Sequence, residues 1–177
     1  KIEDINSIRV DTGPGSFTGL RIGIAAIKGL TWSLKKPVVG ISTLKAMAVN
    51  IQDTDKLICP ILDARKKEVY AGIYKWKDRT LFAEKEDMVI SPEELVKCLN
   101  RPAVFLGEGI GIYSDIFKNA LGHDAIIAPH DLWHIKASNI AKLALVEINK
   151  GRVQSPETLA PYYIRKSEAE VKLHNLT

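Results

Sequence analysis

Cysteine is scarce in this sequence, where Cys59 and Cys98 are the only two among 177 residues. They form neither a CxxC unit nor a zinc-ligand spacing, so a disulfide framework or a zinc module is excluded. Both lie in apolar surroundings, and we interpret them as core-facing thiols of a cytoplasmic protein. No apolar run approaches the roughly 18 residues of a membrane span, so we expect no membrane association. We also expect no signal peptide, and because residue 1 is Lys1 we expect the natural N-terminus to lie upstream.

Charge of one sign is not concentrated either. Lys and Arg number 25 against 21 Asp and Glu, which gives a net charge of +4. A dedicated nucleic-acid-binding domain carries a denser basic surface. With 46% hydrophobic and 26% charged residues, the composition is that of an ordinary globular protein.

Short apolar segments alternate with amphipathic ones, which predicts an α/β fold. The predicted strands are Ile5–Val10, Val38–Ile41, Leu57–Leu62, Val69–Tyr74, Leu81–Ala83, Ala103–Leu106 and Ala125–Ile127. The predicted helices are Leu20–Leu34, a segment that follows Ser42, a segment that begins at Ser91-Pro92, Tyr113–Ala120 and Ala137–Lys150. The polar stretch Gln52–Asp55 predicts a boundary between two units, residues 1–52 and 53–177.

The glycine-rich loop before the first helix is the most informative segment. Its two glycines around Pro14 predict a sharp turn, and Ser16 or Thr18 can cap the helix that follows. Backbone amides at a helix start can bind an anion, so the loop is a candidate anion site. The candidate residues are Gly13, Gly15, Ser16, Thr18 and Gly19. Their spacing is not that of a known nucleotide fingerprint, and the alternative is that the glycines only permit the turn and close packing.

Four segments resemble motifs of the TsaB (YeaZ) family, bacterial proteins of tRNA threonylcarbamoyladenosine synthesis. They are Gly13–Gly23, Pro37–Leu44, Leu62–Tyr70 and the tail segment Pro161–Lys166. The resemblance extends over nearly all of the chain. It implies an actin/Hsp70-like (ASKHA) two-lobe fold, with residues 1–52 as the remainder of the first lobe and 53–177 as the second lobe with the C-terminal helix and tail. Family members begin with further strands, so we expect the start of the first lobe to be missing.

In function, the resemblance implies a non-catalytic accessory subunit that binds and activates the catalytic homologue TsaD. It further implies that TsaE is a partner, that the chain dimerises in the absence of both, and that tRNA is contacted only indirectly. No cofactor is expected. The alternative is an actin-like nucleotide-binding enzyme of the glycoprotease/M22 peptidase type.

The helix predicted at Leu20–Leu34 is apolar on nearly every side, which a single stripe against its own sheet does not explain. We therefore predict that one face packs on the chain itself and another meets a second protein. The resemblance implies the same, because this helix forms intermolecular bundles in the family. The predicted interface residues are Leu20, Gly23, Ile24, Ile27, Leu30 and Trp32.

Other residues suggest chemistry less strongly. His130 and His134 have HxxxH spacing, but no nearby acid completes a metal site, so we predict no metal. Ser16 is not part of a GxSxG motif, and the cysteines lack an activating polar context, so we predict no catalytic residue. Asp11 and Asp63 follow strands, where an acid can hold a ligand but more often caps the strand.

Basic and aromatic residues lie close together in the sequence around the predicted hairpin. The basic ones are Arg65, Lys66, Lys67, Lys75, Lys77 and Arg79, and the aromatic ones are Tyr70, Tyr74 and Trp76. Such a combination can bind RNA through phosphate contacts and stacking. The alternative, which the sequence favours, is an edge hairpin protected from aggregation by lysines.

Overall fold

The protein is described here by a computed structural model, which covers residues 1 and 4–165. The elements in chain order are β1 (Ile8–Gly13), α1 (Phe17–Leu34), β2 (Val38–Ser42), α2 (Thr43–Ala48), β3 (Leu57–Asp63), β4 (Val69–Lys77), β5 (Thr80–Ile90), α3 (Pro92–Lys97), β6 (Ala103–Leu106), α4 (Ile110–Leu121), β7 (Ala125–Ile127) and α5 (Ala137–Asn149). The predicted α/β class is confirmed. In the part of the chain so covered, no helix has the length and apolar character needed to cross a membrane.

The largest difference from the sequence-based elements is β5. We predicted a three-residue strand at Leu81–Ala83, whereas β5 runs over 11 residues, Thr80–Ile90. Among the strands of the described residues, β5 pairs only with β4 and forms the edge of its sheet, and the segment Phe82–Glu86 is exposed. Because this exposed segment of an edge strand has no buried side, its residues do not alternate between apolar and polar. The pattern that identifies a strand in a sequence is therefore missing there.

Five strands form the larger sheet in the order β5-β4-β3-β6-β7. β4 is antiparallel to both of its neighbours, whereas β3, β6 and β7 run parallel. On one face, the α3 and α4 side chains Leu95, Ile110 and Phe117 pack against Phe105 and its neighbours. On the other face, α2 contributes Leu44 and Met47. Both faces are thus covered, as expected for a sheet with parallel strands.

The smaller sheet consists of β1 and β2, which are parallel and pair Val10 with Gly40. Val38 of β2 faces α1, where it packs with Ile24 and Leu159. Val39 and Ile41 face the opposite side and pack with Ala144 of α5. Helix α1 therefore covers one face of this sheet and α5 covers the other.

The C-terminal segment returns to the smaller sheet. Gln154 exchanges both backbone hydrogen bonds with Val38, at 2.8 and 3.1 Å, and the amide of Tyr162 donates to the carbonyl of Thr12 at 2.7 Å. Between these contacts, Leu159 is fully buried. The division into lobes at residues 52 and 53 stays a prediction, but α5 and the tail lie against β1 and β2. Lys166, the last residue of the tail motif, lies outside the described residues.

Arg165 ties this tail to the turn between β3 and β4. Its guanidinium donates to the carbonyl of Ala64 at 2.8 Å and forms an ion pair with Glu68. The three residues at the tip of that turn, Arg65–Lys67, have φ angles of 62°, 55° and 60°. The left-handed conformation costs a residue with a Cβ roughly 1–2 kcal/mol. The turn is therefore strained at its tip and held at its base.

A half-buried carboxylate joins β2 to the larger sheet. Asp87 of β5 accepts hydrogen bonds from the Ser42 hydroxyl, at the end of β2, and from the Tyr74 hydroxyl of β4. Burial raises the pKa of Asp87 above its usual value, and the two hydrogen bonds lower it only in part. Burial, together with the charge of Asp87, also raises the pKa of Tyr74, which is therefore protonated and able to donate.

Glycine is required at position 107, which follows β6. Gly107 has a φ of +105°, and a Cβ there would lie 2.4 Å from the carbonyl oxygen of Ile61. We expect Gly107→Ala to lower the free energy of unfolding by about 2–4 kcal/mol, because both the backbone and β3 would have to shift. Gly111→Ala in α4 is the control, since no atom lies within 4 Å of its added Cβ. Denaturant titration checks both, and equal stabilities for the two variants contradict the expectation.

The Asp87 cluster predicts a specific pH dependence. A pKa raised by folding means that the protonated carboxyl favours the folded state, so this contribution is lost as the pH rises through the raised value. We expect Asp87→Asn to remove that loss, so that the melting temperature of the variant rises relative to the original protein between pH 4 and 8. Burial also raises the pKa of Asp11, but that group is common to both proteins and cancels. Parallel curves of melting temperature against pH contradict the assignment.

Candidate partner interface on helix α1

Helix α1 is defined by capping at both ends. The Ser16 hydroxyl accepts a hydrogen bond from the Gly19 amide at 3.2 Å, which stabilises the first turn. At the other end, Lys35 adopts the left-handed conformation with a φ of 50°, and its amide bonds to the carbonyls of Thr31 and Trp32. The resulting 18-residue helix begins at Phe17, three residues before the predicted start at Leu20.

The inner face of α1 is covered by the chain itself. Ile24 is only 4% exposed and packs with Val38 and Leu159, while Ile27 is partly buried beside it. Leu20 is also half-buried. The placement of Ile24 in the predicted partner interface is therefore corrected, since this side chain belongs to the intramolecular core.

The outer face of α1 carries no charged side chain. Its exposed residues are Thr18, Gly19, Ile22, Gly23, Ala25, Ala26, Gly29, Leu30 and Ser33. The two charged residues of the helix, Arg21 and Lys28, lie toward the tail instead. Arg21 donates to the Tyr163 hydroxyl at 2.9 Å and stacks on the Phe17 ring, and Lys28 contacts the carbonyl of Glu157 at 3.4 Å. The outer face is thus uncharged, and none of the residues that the structure describes covers it.

Large apolar side chains project from the outer face and its border. Ile22 is 67% exposed, Trp32 is 65% exposed and Leu30 is 37% exposed. Surface residues of this kind are common singly, but several together on a face without charges are typical of a protein–protein contact. Leu30 and Trp32, which the sequence placed in the interface, are among them. Ile22 was missed there, although its spacing from Gly19 and Ala26 puts all three on one side of the helix.

The glycines of α1 are not explained by packing within the chain. Apart from the neighbouring backbone of α1 itself, a Cβ at Gly23 or Gly29 would meet no atom of residues 1 and 4–165 within 4 Å. A glycine inside a helix costs about 1 kcal/mol relative to alanine. Gly13 differs, because its φ is +108° and an added Cβ would lie 2.8 Å from Leu20. Of these three glycines, Gly13 is therefore required by the fold, whereas Gly23 and Gly29 leave room for another backbone to approach α1.

The candidate anion loop surrounds the N-terminus of α1. The Gly13–Pro14 peptide bond is cis, and the Gly13 amide donates to the carboxylate of Asp11 at 2.9 Å. Gly15, Ser16, Thr18 and Gly19 are exposed. Because the Ser16 hydroxyl already accepts from the Gly19 amide, the structure gives Ser16 a capping role. Anion binding by this loop stays a prediction.

Candidate catalytic and metal-binding residues outside α1 contact other parts of the chain. Asp11 accepts a 2.6 Å hydrogen bond from the Thr43 hydroxyl, so it joins β1 to the start of α2. Cys59 is fully buried, and burial raises the pKa of its thiol, which keeps it protonated. The rings of His130 and His134 have centroids 5.4 Å apart. Among the residues covered by the structure, no three His, Cys, Asp or Glu side chains are grouped so that they could hold a metal ion.

Comparisons with known proteins agree with this architecture. A family model described as "TsaD: tRNA N6-adenosine threonylcarbamoyltransferase" matches residues 1–173. The tRNA threonylcarbamoyladenosine biosynthesis protein TsaB of Bacillus subtilis is 34% identical over 173 residues, which cover 96% of this chain and 74% of that protein. The TsaB protein of Escherichia coli is 29% identical and covers 97% of this chain and 76% of its own length.

Solved structures show the same fold. YeaZ from Pseudomonas aeruginosa superposes with a TM-score of 0.76 at 24% sequence identity, over 92% of this chain and 75% of that one. A second Pseudomonas aeruginosa structure, described as having similarity to peptidase YEAZ, gives a TM-score of 0.77. The matched family model, the curated relatives and the shared ASKHA-like fold together show that this chain belongs to the TsaB (YeaZ) family of tRNA threonylcarbamoyladenosine biosynthesis proteins.

Proposed function

We propose that this chain is a non-catalytic accessory subunit that binds TsaD through the outer face of α1 and activates it. The observation that carries the proposal is the uncharged, exposed outer face of an 18-residue helix whose two charged residues are turned toward the tail. The curated relatives are named as biosynthesis proteins of the same tRNA modification, and the family model that matches this chain is that of TsaD.

The physical basis of binding is burial of apolar surface together with close backbone approach. Burying one large aliphatic side chain contributes roughly 1.5–3 kcal/mol, which Ile22 and Leu30 can each supply. Gly23 and Gly29 allow a second helix to pack near the α1 backbone, where dispersion contacts accumulate. A helix of TsaD is the proposed occupant. A second copy of this chain takes its place when TsaD is absent, and TsaE joins the complex with TsaD.

Chemistry on the tRNA is assigned to TsaD rather than to this chain. Two side chains that could serve as nucleophile or base are engaged in structure: Cys59 is buried and protonated, and Asp11 accepts hydrogen bonds from Thr43 and Gly13. These contacts support an accessory role over the alternative of a peptidase-type enzyme. Activation then means that docking on α1 stabilises the active arrangement of TsaD.

A charge placed on the outer face tests the docking. We expect Ile22→Glu to weaken association with purified TsaD by at least about 100-fold, since an unpaired charge would be buried at the contact. Leu145→Glu is the matched control, because Leu145 is a 47% exposed leucine on α5. Isothermal titration calorimetry measures binding, and light scattering measures the mass of the chain alone. Unchanged affinity for TsaD in Ile22→Glu contradicts the docking proposal.

The glycines of α1 give a second test, in which stability and association change in opposite directions. We expect Gly23→Ala with Gly29→Ala to raise the melting temperature of the isolated chain by roughly 2–4 °C for each kcal/mol of helix propensity gained. The same change should weaken TsaD binding about tenfold or more, because two methyl groups would stand between the backbones. Gly111→Ala should raise the melting temperature without affecting binding. Tighter or unchanged binding in the double variant contradicts close backbone approach.

A further inference from the structure

The turn between β3 and β4 is basic and projects from the larger sheet. Arg65, Lys66 and Lys67 follow one another at its tip and are exposed. Together with Arg165 they make four basic side chains against the two acids Asp63 and Glu68. The turn and Arg165 together thus carry a net charge of +2, half of the net charge of the whole chain.

The edge-hairpin explanation that the sequence favoured does not extend to Arg65–Lys67. The tip joins β3 and β4, which are both interior strands of the larger sheet, so its basic residues do not protect a sheet edge. The six basic residues also form two groups rather than one cluster. Arg65–Lys67 precede β4, whereas Lys75, Lys77 and Arg79 lie at its far end, a separation of roughly 27 Å for nine residues of strand. The tip therefore needs a separate explanation.

The backbone of the tip points to a role for its side chains. All three residues are in the left-handed conformation, which glycine or asparagine adopts with less strain. The base of the turn is held by hydrogen bonds from Ala64 to Glu68 at 2.9 Å and from Glu68 to Arg65 at 3.0 Å, and by Arg165. Arg65 makes its ion pair with Asp63 while its side chain stays 88% exposed. Three basic side chains are thus displayed from a fixed support at a cost in backbone strain.

We infer that the left-handed tip Arg65–Lys67 contacts the phosphate backbone of tRNA. Lys and Arg neutralise the phosphates of a nucleic acid, whereas lysine is depleted in protein–protein interfaces, so a tip with two lysines suits a nucleic acid better than a protein partner. The inference rests on the proposed function, because tRNA is the substrate only if the chain serves that modification. It replaces the expectation that tRNA is contacted only indirectly.

The test compares two triple variants that remove the same charge from opposite ends of β4. One is Arg65→Gln, Lys66→Gln and Lys67→Gln, and the control is Lys75→Gln, Lys77→Gln and Arg79→Gln. Binding of an unmodified tRNA transcript to the full chain is measured by fluorescence anisotropy at several salt concentrations. We expect the tip variant to lose at least tenfold in affinity and to reduce the slope of log affinity against log salt by about 2, since each lost phosphate contact removes roughly 0.7–0.9. The control should change affinity less than about threefold.

Each other outcome overturns the inference. Equal losses in both triple variants mean that only total charge matters, and an unchanged tip variant means that the tip makes no contact. A tip variant that loses TsaD binding but keeps tRNA affinity identifies a protein contact instead. Because TsaD binding is measured separately and depends on α1, the tRNA inference can fail while the docking proposal stands.

A second variant removes the same charges while it stabilises the turn, so that a loss of tRNA affinity cannot come from unfolding of the tip. We expect Arg65→Gly, Lys66→Asn and Lys67→Gly to raise the melting temperature by several degrees, because these residues relieve the left-handed strain, while tRNA affinity falls as in the glutamine variant. A variant that is more stable and binds tRNA as well as the original protein also overturns the inference.

Discussion

The packing of Ile24 against Val38 and Leu159 determines how the rest of the molecule is presented. This contact attaches one stripe of α1 to the smaller sheet and fixes the rotation of the helix about its axis. Because the stripe is narrow, most of the helix circumference stays outside. The apolar and glycine-rich residues on that outer side are then directed to solvent as one continuous, uncharged face.

The tail that contributes Leu159 does more than complete this core. Along its path it pairs with β2 through Gln154, bonds to β1 through Tyr162, and reaches the β3–β4 turn through Arg165. Tyr163 also holds the guanidinium of Arg21, so one of the two charges on α1 is engaged by the tail. The same segment therefore supports both the candidate partner face and the basic tip, although α1 packs on the smaller sheet and the tip projects from the larger one.

Much of the fold could be predicted from local patterns. β6 and β7 match the predicted Ala103–Leu106 and Ala125–Ile127, and α5 matches within one residue, because short apolar runs and an amphipathic helical pattern are visible in the sequence. β5 was mostly missed, since an edge strand with exposed charges has no such pattern. The grouping of basic residues around one hairpin was also wrong in space, because sequence proximity ignores the length of an intervening strand.

The sequence by itself determined that this chain is an α/β protein of the TsaB family and that α1 has more apolar surface than one sheet can bury. Only the tertiary structure decided which residues of α1 face inward. Ile24 and Ile22 are equally apolar and two positions apart, and they differ only in which side of the helix meets Val38 and Leu159. That choice depends on where β2 and the tail lie, and contacts between residues more than a hundred positions apart leave no trace in local periodicity.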